Sequence, residues 1–143
     1  MFPVFKEEIS IGELKLKFLF DGQDTDGTLV VFEMLVPPNI KVPAPHYHVD
    51  VDETLHVMEG TLHQIYGDEI RVLNPGDTLF IKRGIVHGFN NTGTVPTRVL
   101  CSLSQASIGP EYFRAIAEII NAGGPPDMQR ILGVMKQFGL EVK

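Results

Sequence analysis

Three histidines and one glutamate stand in this chain at spacings that suit a metal ion. His46, His48 and Glu53 fall in the run PHYHVDVDETLHVMEG, which ends on Gly60. His87 falls in PGDTLFIKRGIVHGFNN, between Gly76 and Gly84 on one side and Asn91 on the other. Imidazole nitrogens together with one carboxylate suit a divalent first-row transition metal better than calcium or magnesium, which prefer oxygen shells. Such an ion polarises the oxygen of a chelated molecule and lowers the pKa of its hydroxyl. A lone histidine on a strand is ordinarily a packing or surface residue. The conjunction of His-x-His, a following glutamate and a distant His-x(3)-Asn is much harder to reach by coincidence.

These donors meet only if short strands carry them to one interior. Side chains alternate along a strand, so His46 and His48 share a face and Tyr47 lies opposite. Glu53 is an odd number of residues from His48 and joins them only if Val49 to Asp52 form a turn or bulge. Beyond that bend Glu53, Leu55 and Val57 share the inner face, while His56 faces away. His87 sits near the start of its own strand and must reach across a barrel. If Leu62, Gln64 and Tyr66 point inward, His63 points outward and Gln64 enters the cavity, where its amide would orient a ligating histidine or a substrate group. Phe89 shares a face with His87. Gln64, Leu55, Val57 and Phe89 are therefore the expected contacts of a small-molecule ligand, and Glu53 is expected to act as ligand or general base.

The remaining pattern supports a β-rich scaffold. Apolar runs at Leu14–Phe20, Leu29–Val36, Thr54–Met58, Leu62–Tyr66, Ile70–Leu73, Thr78–Ile81, Val86–Phe89 and Val95–Ser104 are separated by turn residues such as Asp21-Gly22, Gly67-Asp68 and Asn74-Pro75-Gly76-Asp77. After Gly109 the period changes. Tyr112, Phe113, Ile116, Ile119 and Ile120 recur at helical spacing behind Pro110, and Gly123-Gly124 stops that helix. Met128, Ile131, Leu132 and Met135 predict a second helix ending near Gly139. Each stripe needs cover, from the outside of a barrel or from another subunit. The expectation is one domain over residues 1–143, with an all-β barrel over about 1–106 and a helical extension over about 109–140.

Charge and composition narrow the partners. A formal net charge of −6 over 143 residues, without a basic run, argues against nucleic acid. No apolar stretch reaches spanning length, so no membrane is expected. The start MFPVFKEEIS lacks the basic and apolar segments of a secretory leader, which implies a cytoplasmic address. Cys101, the single cysteine, lies in the apolar run VLCSLS and reads as a small buried residue.

The two histidine-bearing segments resemble the paired motifs of the cupin superfamily. His46, His48, Glu53 and Gly60 match the first motif at every spacing, and Gly76, Gly84, His87 and Asn91 match the second. Ile40 stands where the first motif usually opens with glycine, with Asn39 beside it able to supply the turn, and Lys82 replaces the usual proline of the second. The resemblance implies a double-stranded β-helix (jelly-roll) barrel holding one divalent transition metal (iron, manganese, nickel, zinc or copper) on His46, His48, Glu53 and His87. The C-terminal stretch is similar to the helical tail of a group often likened to quercetin dioxygenases. It implies a metal-dependent dioxygenase-like oxidoreductase acting on a small aromatic or flavonol-like substrate. A non-catalytic metal- or small-molecule-binding barrel, or a metal-assisted isomerase or decarboxylase, would use the same site. Cupins commonly pair, so a homodimer is expected.

Overall fold

The computed structural model describes residues 5–40 and 42–143. The first four residues, part of the stretch read above for a leader, and Lys41 lie outside the described residues. Eleven strands and two helices follow one another as β1 (Glu7–Ile11), β2 (Leu14–Phe20), β3 (Val30–Val36), β4 (His46–His48), β5 (Asp52–Glu59), β6 (Leu62–Tyr66), β7 (Glu69–Leu73), β8 (Thr78–Ile81), β9 (His87–Asn90), β10 (Thr97–Ser104), α1 (Pro110–Ile120), α2 (Met128–Gln137) and β11 (Leu140–Val142).

Two antiparallel sheets carry the fold, one ordered β1-β2-β3-β10-β5-β8 and the other β11-β4-β9-β6-β7. From β3 onward the chain repeatedly crosses between them, placing β4, β6, β7 and β9 in one sheet and β5, β8 and β10 in the other. That winding is the jelly roll. It brings sequence-distant strands onto facing walls, as the metal-ligand spacing requires.

Period-2 patterning decides which residues face inward. Leu14, Leu16 and Phe18 of β2, Val30, Phe32, Met34 and Val36 of β3, and Val99, Cys101 and Leu103 of β10 are all buried, and they join one hydrophobic core. Phe18, Phe32 and Phe113 form a triangle of tilted rings with centroids 5.2–5.6 Å apart. This triangle ties α1 to the wall of the first sheet and adds attraction beyond simple burial.

Glycine is required where backbones press together. Gly60 adopts φ +77°, and a Cβ built there would lie 2.6 Å from the Pro96 carbonyl oxygen. No other residue fits, which accounts for the last position of the first motif. Asn39 takes φ +57° and supplies the left-handed turn in place of the glycine missing at Ile40.

Each helix has a definite start. Pro110 occupies the first turn of α1, and the Asp127 carboxylate accepts the Arg130 backbone N–H to cap α2. Two strands lie outside the runs expected from the sequence. β1 pairs with β2 over five positions, and β11 pairs with β4 over three.

Candidate metal centre

His46 and His87 are direct cross-strand partners on β4 and β9, and His48 stands two residues along on the same face. One nitrogen from each of the three rings lies within 4.8 Å of the others. The ring centroids are 5.3 Å apart for His46 and His48, and 4.7 Å for His87 to either of them. Three imidazoles so close, with His48 and His87 almost fully buried, could hold a metal ion.

The backbone chooses their tautomers. Nδ1 of His46 lies 2.9 Å from the Ala44 carbonyl oxygen, and Nδ1 of His87 lies 3.0 Å from that of Ile85. A carbonyl only accepts, so both Nδ1 atoms carry a proton, which leaves Nε2 of His46 to face a ligand and Nε2 of His87 to face Glu53. Burial, reinforced by the neighbouring His87, holds the His46 pKa below the ordinary histidine value. Burial also pushes His48 down to about 4. Both rings are therefore neutral at pH 7, the protonation state a metal ligand needs.

Glu53 enters from the facing sheet. The chain bends over Val49 and Asp50, so β5 begins with the alternation reset and Glu53 reaches His87. Its Oε2 lies 3.2 Å from Nε2 of His87. Burial alone would raise the Glu53 pKa, but the hydrogen bond and charge of His87, with a smaller contribution from His48 and His46 when they protonate, bring it below the ordinary value. His87 is the converse case: burial opposes its charge, and Glu53 outweighs burial. Three nitrogens thus form the candidate metal group, and the Glu53 carboxylate stands beside it against His87 without joining it.

Supporting contacts hold this geometry. The Gly84 N–H donates to the His48 carbonyl at 2.8 Å, tying the turn before β9 to β4. Asp52 accepts both the Arg83 backbone N–H (2.8 Å) and its guanidinium (2.9 Å), which clamps that same turn to the start of β5. Beside Arg83 the Asp52 carboxyl is held down at about 2.

The histidines and Glu53 open into a cavity of about 770 Å³. Leu55, Gln64 and Phe89 line it, as alternation predicts. Val57 is fully buried but packs in the core outside the lining, because it lies farther along β5 from the bend than Leu55 does. His56 turns away and its Nδ1 meets the Thr78 hydroxyl at 2.7 Å, and His63 faces Thr92. Among the described residues no lysine or arginine lines the cavity. Arg71 is taken up by Glu69, Arg83 by Asp52, and Arg98 by Glu33 and Glu59. Lys82 is exposed.

The helices supply the part of the site that residue spacing did not reveal. Tyr112, Phe113, Ile116 and Ile120 of α1, with Ile131, Leu132 and Met135 of α2, line the same cavity as the histidines. Their stripes close the barrel mouth, where the sequence pointed to its outer surface or another subunit. Helical periodicity identified which residues share a face, and only the fold shows what that face meets.

Comparisons with known proteins agree with this architecture. The cupin domain family model matches residues 32–103. The tetracenomycin polyketide synthase protein TcmJ of Streptomyces glaucescens is 36% identical over 84 residues, covering 57% of this chain and 56% of that protein. The chain spans about half the length of the curated relatives it matches. Among solved structures, the polyketide cyclase RemF of Streptomyces resistomycificus shares 28% identity at a TM-score of 0.58, covering 69% of this chain and 70% of RemF. A predicted oxalate decarboxylase of Thermotoga maritima superposes at a TM-score of 0.64 with 20% identity, covering 71% of this chain and 93% of that one, a likeness of fold alone. With the family model spanning half its length and the two-sheet winding in place, the chain belongs to the cupin family.

Proposed function

We propose that this cupin is a metal-dependent oxidoreductase of dioxygenase type, acting on a small aromatic, flavonol-like molecule. One observation carries the reading: the neutral His46 and His48, with His87 and Glu53, sit in the wall of a large cavity that is otherwise almost wholly apolar. A cation held by these four residues would polarise a chelating oxygen of the substrate. Glu53 completes the donor set and is the one carboxylate near enough to the histidines to take a proton from a substrate hydroxyl. Leu55, Phe89 and the cap residues exclude water and favour flat apolar rings. Sugar phosphates are disfavoured, since they call for inward cations that the described lining lacks.

A second reading, metal-assisted cyclisation or isomerisation without oxygen, draws on the likeness to RemF and TcmJ, whose names place them in polyketide chemistry. Oxygen uptake separates the two. Protein loaded in turn with iron, manganese, nickel, copper or zinc is offered a panel of phenolics, and oxygen and substrate are followed together. Equimolar loss of both supports the dioxygenase. Substrate loss without oxygen consumption transfers the case to the second reading, and binding without turnover on any metal leaves a ligand-binding module. A homodimer, covering the exposed Ile70, Val72 and Phe80, belongs to the same proposal and is read from the mass in solution.

A further inference from the structure

Two polar side chains that line this cavity have, among the described residues, an atom without a hydrogen-bond partner. Gln64 on β6 is 1% exposed and lines the cavity beside Phe89, its cross-strand neighbour. Its Nε2 donates to the Ile65 carbonyl at 3.3 Å, which tells the amide nitrogen from the oxygen because a carbonyl cannot donate. Its Oε1 is buried and accepts no hydrogen bond. Tyr112 on α1 is 7% exposed and lines the same cavity, and its hydroxyl makes no hydrogen bond among the described residues. Its ring packs edge-on to Phe113 and Phe138 with centroids 5.0 and 5.5 Å away.

Neither group is explained by packing. A buried acceptor without a donor costs about 1–3 kcal/mol, and a leucine in place of Gln64 would avoid it. A phenylalanine would fill the place of Tyr112 equally well, since buried tyrosines ordinarily find a partner for the hydroxyl. Burial pushes the Tyr112 phenol well above its ordinary pKa, so it stays protonated and able to donate. The 3.3 Å tether of Gln64 is long, so the amide can turn toward the cavity at little cost. Tyr112 also lies beyond the residues matched by the family model.

We propose that Gln64 and Tyr112 are positioning residues that read the substrate's oxygens away from the metal, with Gln64 accepting from a ring hydroxyl and Tyr112 donating to a second ring oxygen. The substrate class is thereby narrowed from aromatic to polyoxygenated aromatic. This inference rests on the reading that the cavity takes an aromatic ligand chelated at the histidines.

The test uses zinc-loaded protein, which binds without redox turnover, and two probes followed by fluorescence titration. Quercetin carries peripheral hydroxyls, whereas 3-hydroxyflavone keeps only the chelating hydroxyl and ketone. The wild type should prefer quercetin. Gln64→Leu and Tyr112→Phe should each weaken quercetin by about five-fold, one ordinary hydrogen bond, and leave 3-hydroxyflavone within about two-fold. In the metal-free state the melting temperature of Gln64→Leu should hold or rise, because it loses a buried unpartnered acceptor, and that of Tyr112→Phe should hold. Equal losses for both probes, no loss for either, or a sharp fall in melting temperature would overturn the assignment. So would wild-type zinc protein that binds neither flavonoid, whatever oxygen uptake shows. Selection of quercetin through both residues, with no oxygen consumed by the iron form, would keep this inference and discard the dioxygenase.

Discussion

The barrel wall and the helical cap of this cupin face one cavity but are built in different ways. The wall positions its donors through backbone: cross-strand pairing of His46 with His87, carbonyl partners for both Nδ1 atoms, and the Gly84 N–H on the His48 carbonyl. The cap meets the cavity through the apolar faces of α1 and α2. In α2 Met135 alone is buried, while Met128 and Leu132 remain about half exposed although they line the cavity. A framework fixed by backbone suits chemistry that needs donors held in place. A face made of methionine, leucine and isoleucine suits a surface that adapts to what enters. The difference teaches that the wall is built to hold side chains in place and the cap to yield to what enters.

Substitutions can break that contrast, and the largest effect belongs to the wall. His48→Ala should drop bound metal from near one equivalent per chain to near zero by elemental analysis, while the circular dichroism spectrum stays that of the folded protein. Glu53→Gln should weaken metal binding by a smaller factor, because three nitrogens remain. If His48→Ala retains its metal, the donor set is wrong. The next effect concerns stability. Phe18→Ala, at a fully buried member of the aromatic triangle, should cost about 3–5 kcal/mol in urea unfolding. Leu132→Ala on the cap should cost about 1 kcal/mol or less while changing ligand affinity. Equal costs for the two would erase the distinction between wall and cap.

The smallest effect sharpens it. The Asp52 pKa is lowered in the folded protein, so its pairing with Arg83 stabilises the fold above the ordinary carboxylate pKa and is lost as pH falls through about 2. Asp52→Asn should therefore melt slightly below the wild type at pH 7, by roughly 1 kcal/mol or less. That gap should close between about pH 4 and pH 2 in thermal melts. A gap that widens in acid would mean that the clamp on the Arg83 turn is not electrostatic.

Much of the wall was legible in the residues themselves, because it depends on local rules. Alternation located β2, β3, β6, β8 and β10, and histidine spacing located His46, His48 and His87. The bend after His48 resets the face of β5 and brings Glu53 against His87, beside the histidine group and outside it. What stayed hidden depends on contacts across the fold. β1 reads EEISI, too charged to announce a strand, and becomes one because β2 offers an edge. β11 is three residues long and is defined by its partner. The cap stripe was visible as a stripe, but its burial against the cavity depends on where the chain returns after β10. Val57 shows the limit of alternation: it gives the face of a residue and says nothing of depth along the barrel. The reaction was not legible at all, since the same donors recur across unrelated chemistries.

The pairing of β11 with β4 has a consequence for assembly. β4 meets β9 at a single register position, His46 with His87, but meets β11 at three, from His48 to His46. The strand that presents two of the imidazoles is thus held chiefly by residues almost a hundred positions downstream. A nascent polypeptide exposes His46 and His48 early, yet it cannot lock them until Leu140–Val142 has left the ribosome. Ordering of this histidine strand is therefore a late event in folding, and a tag fused directly after Leu140–Val142, or a protease that trims it, acts on the candidate metal site itself.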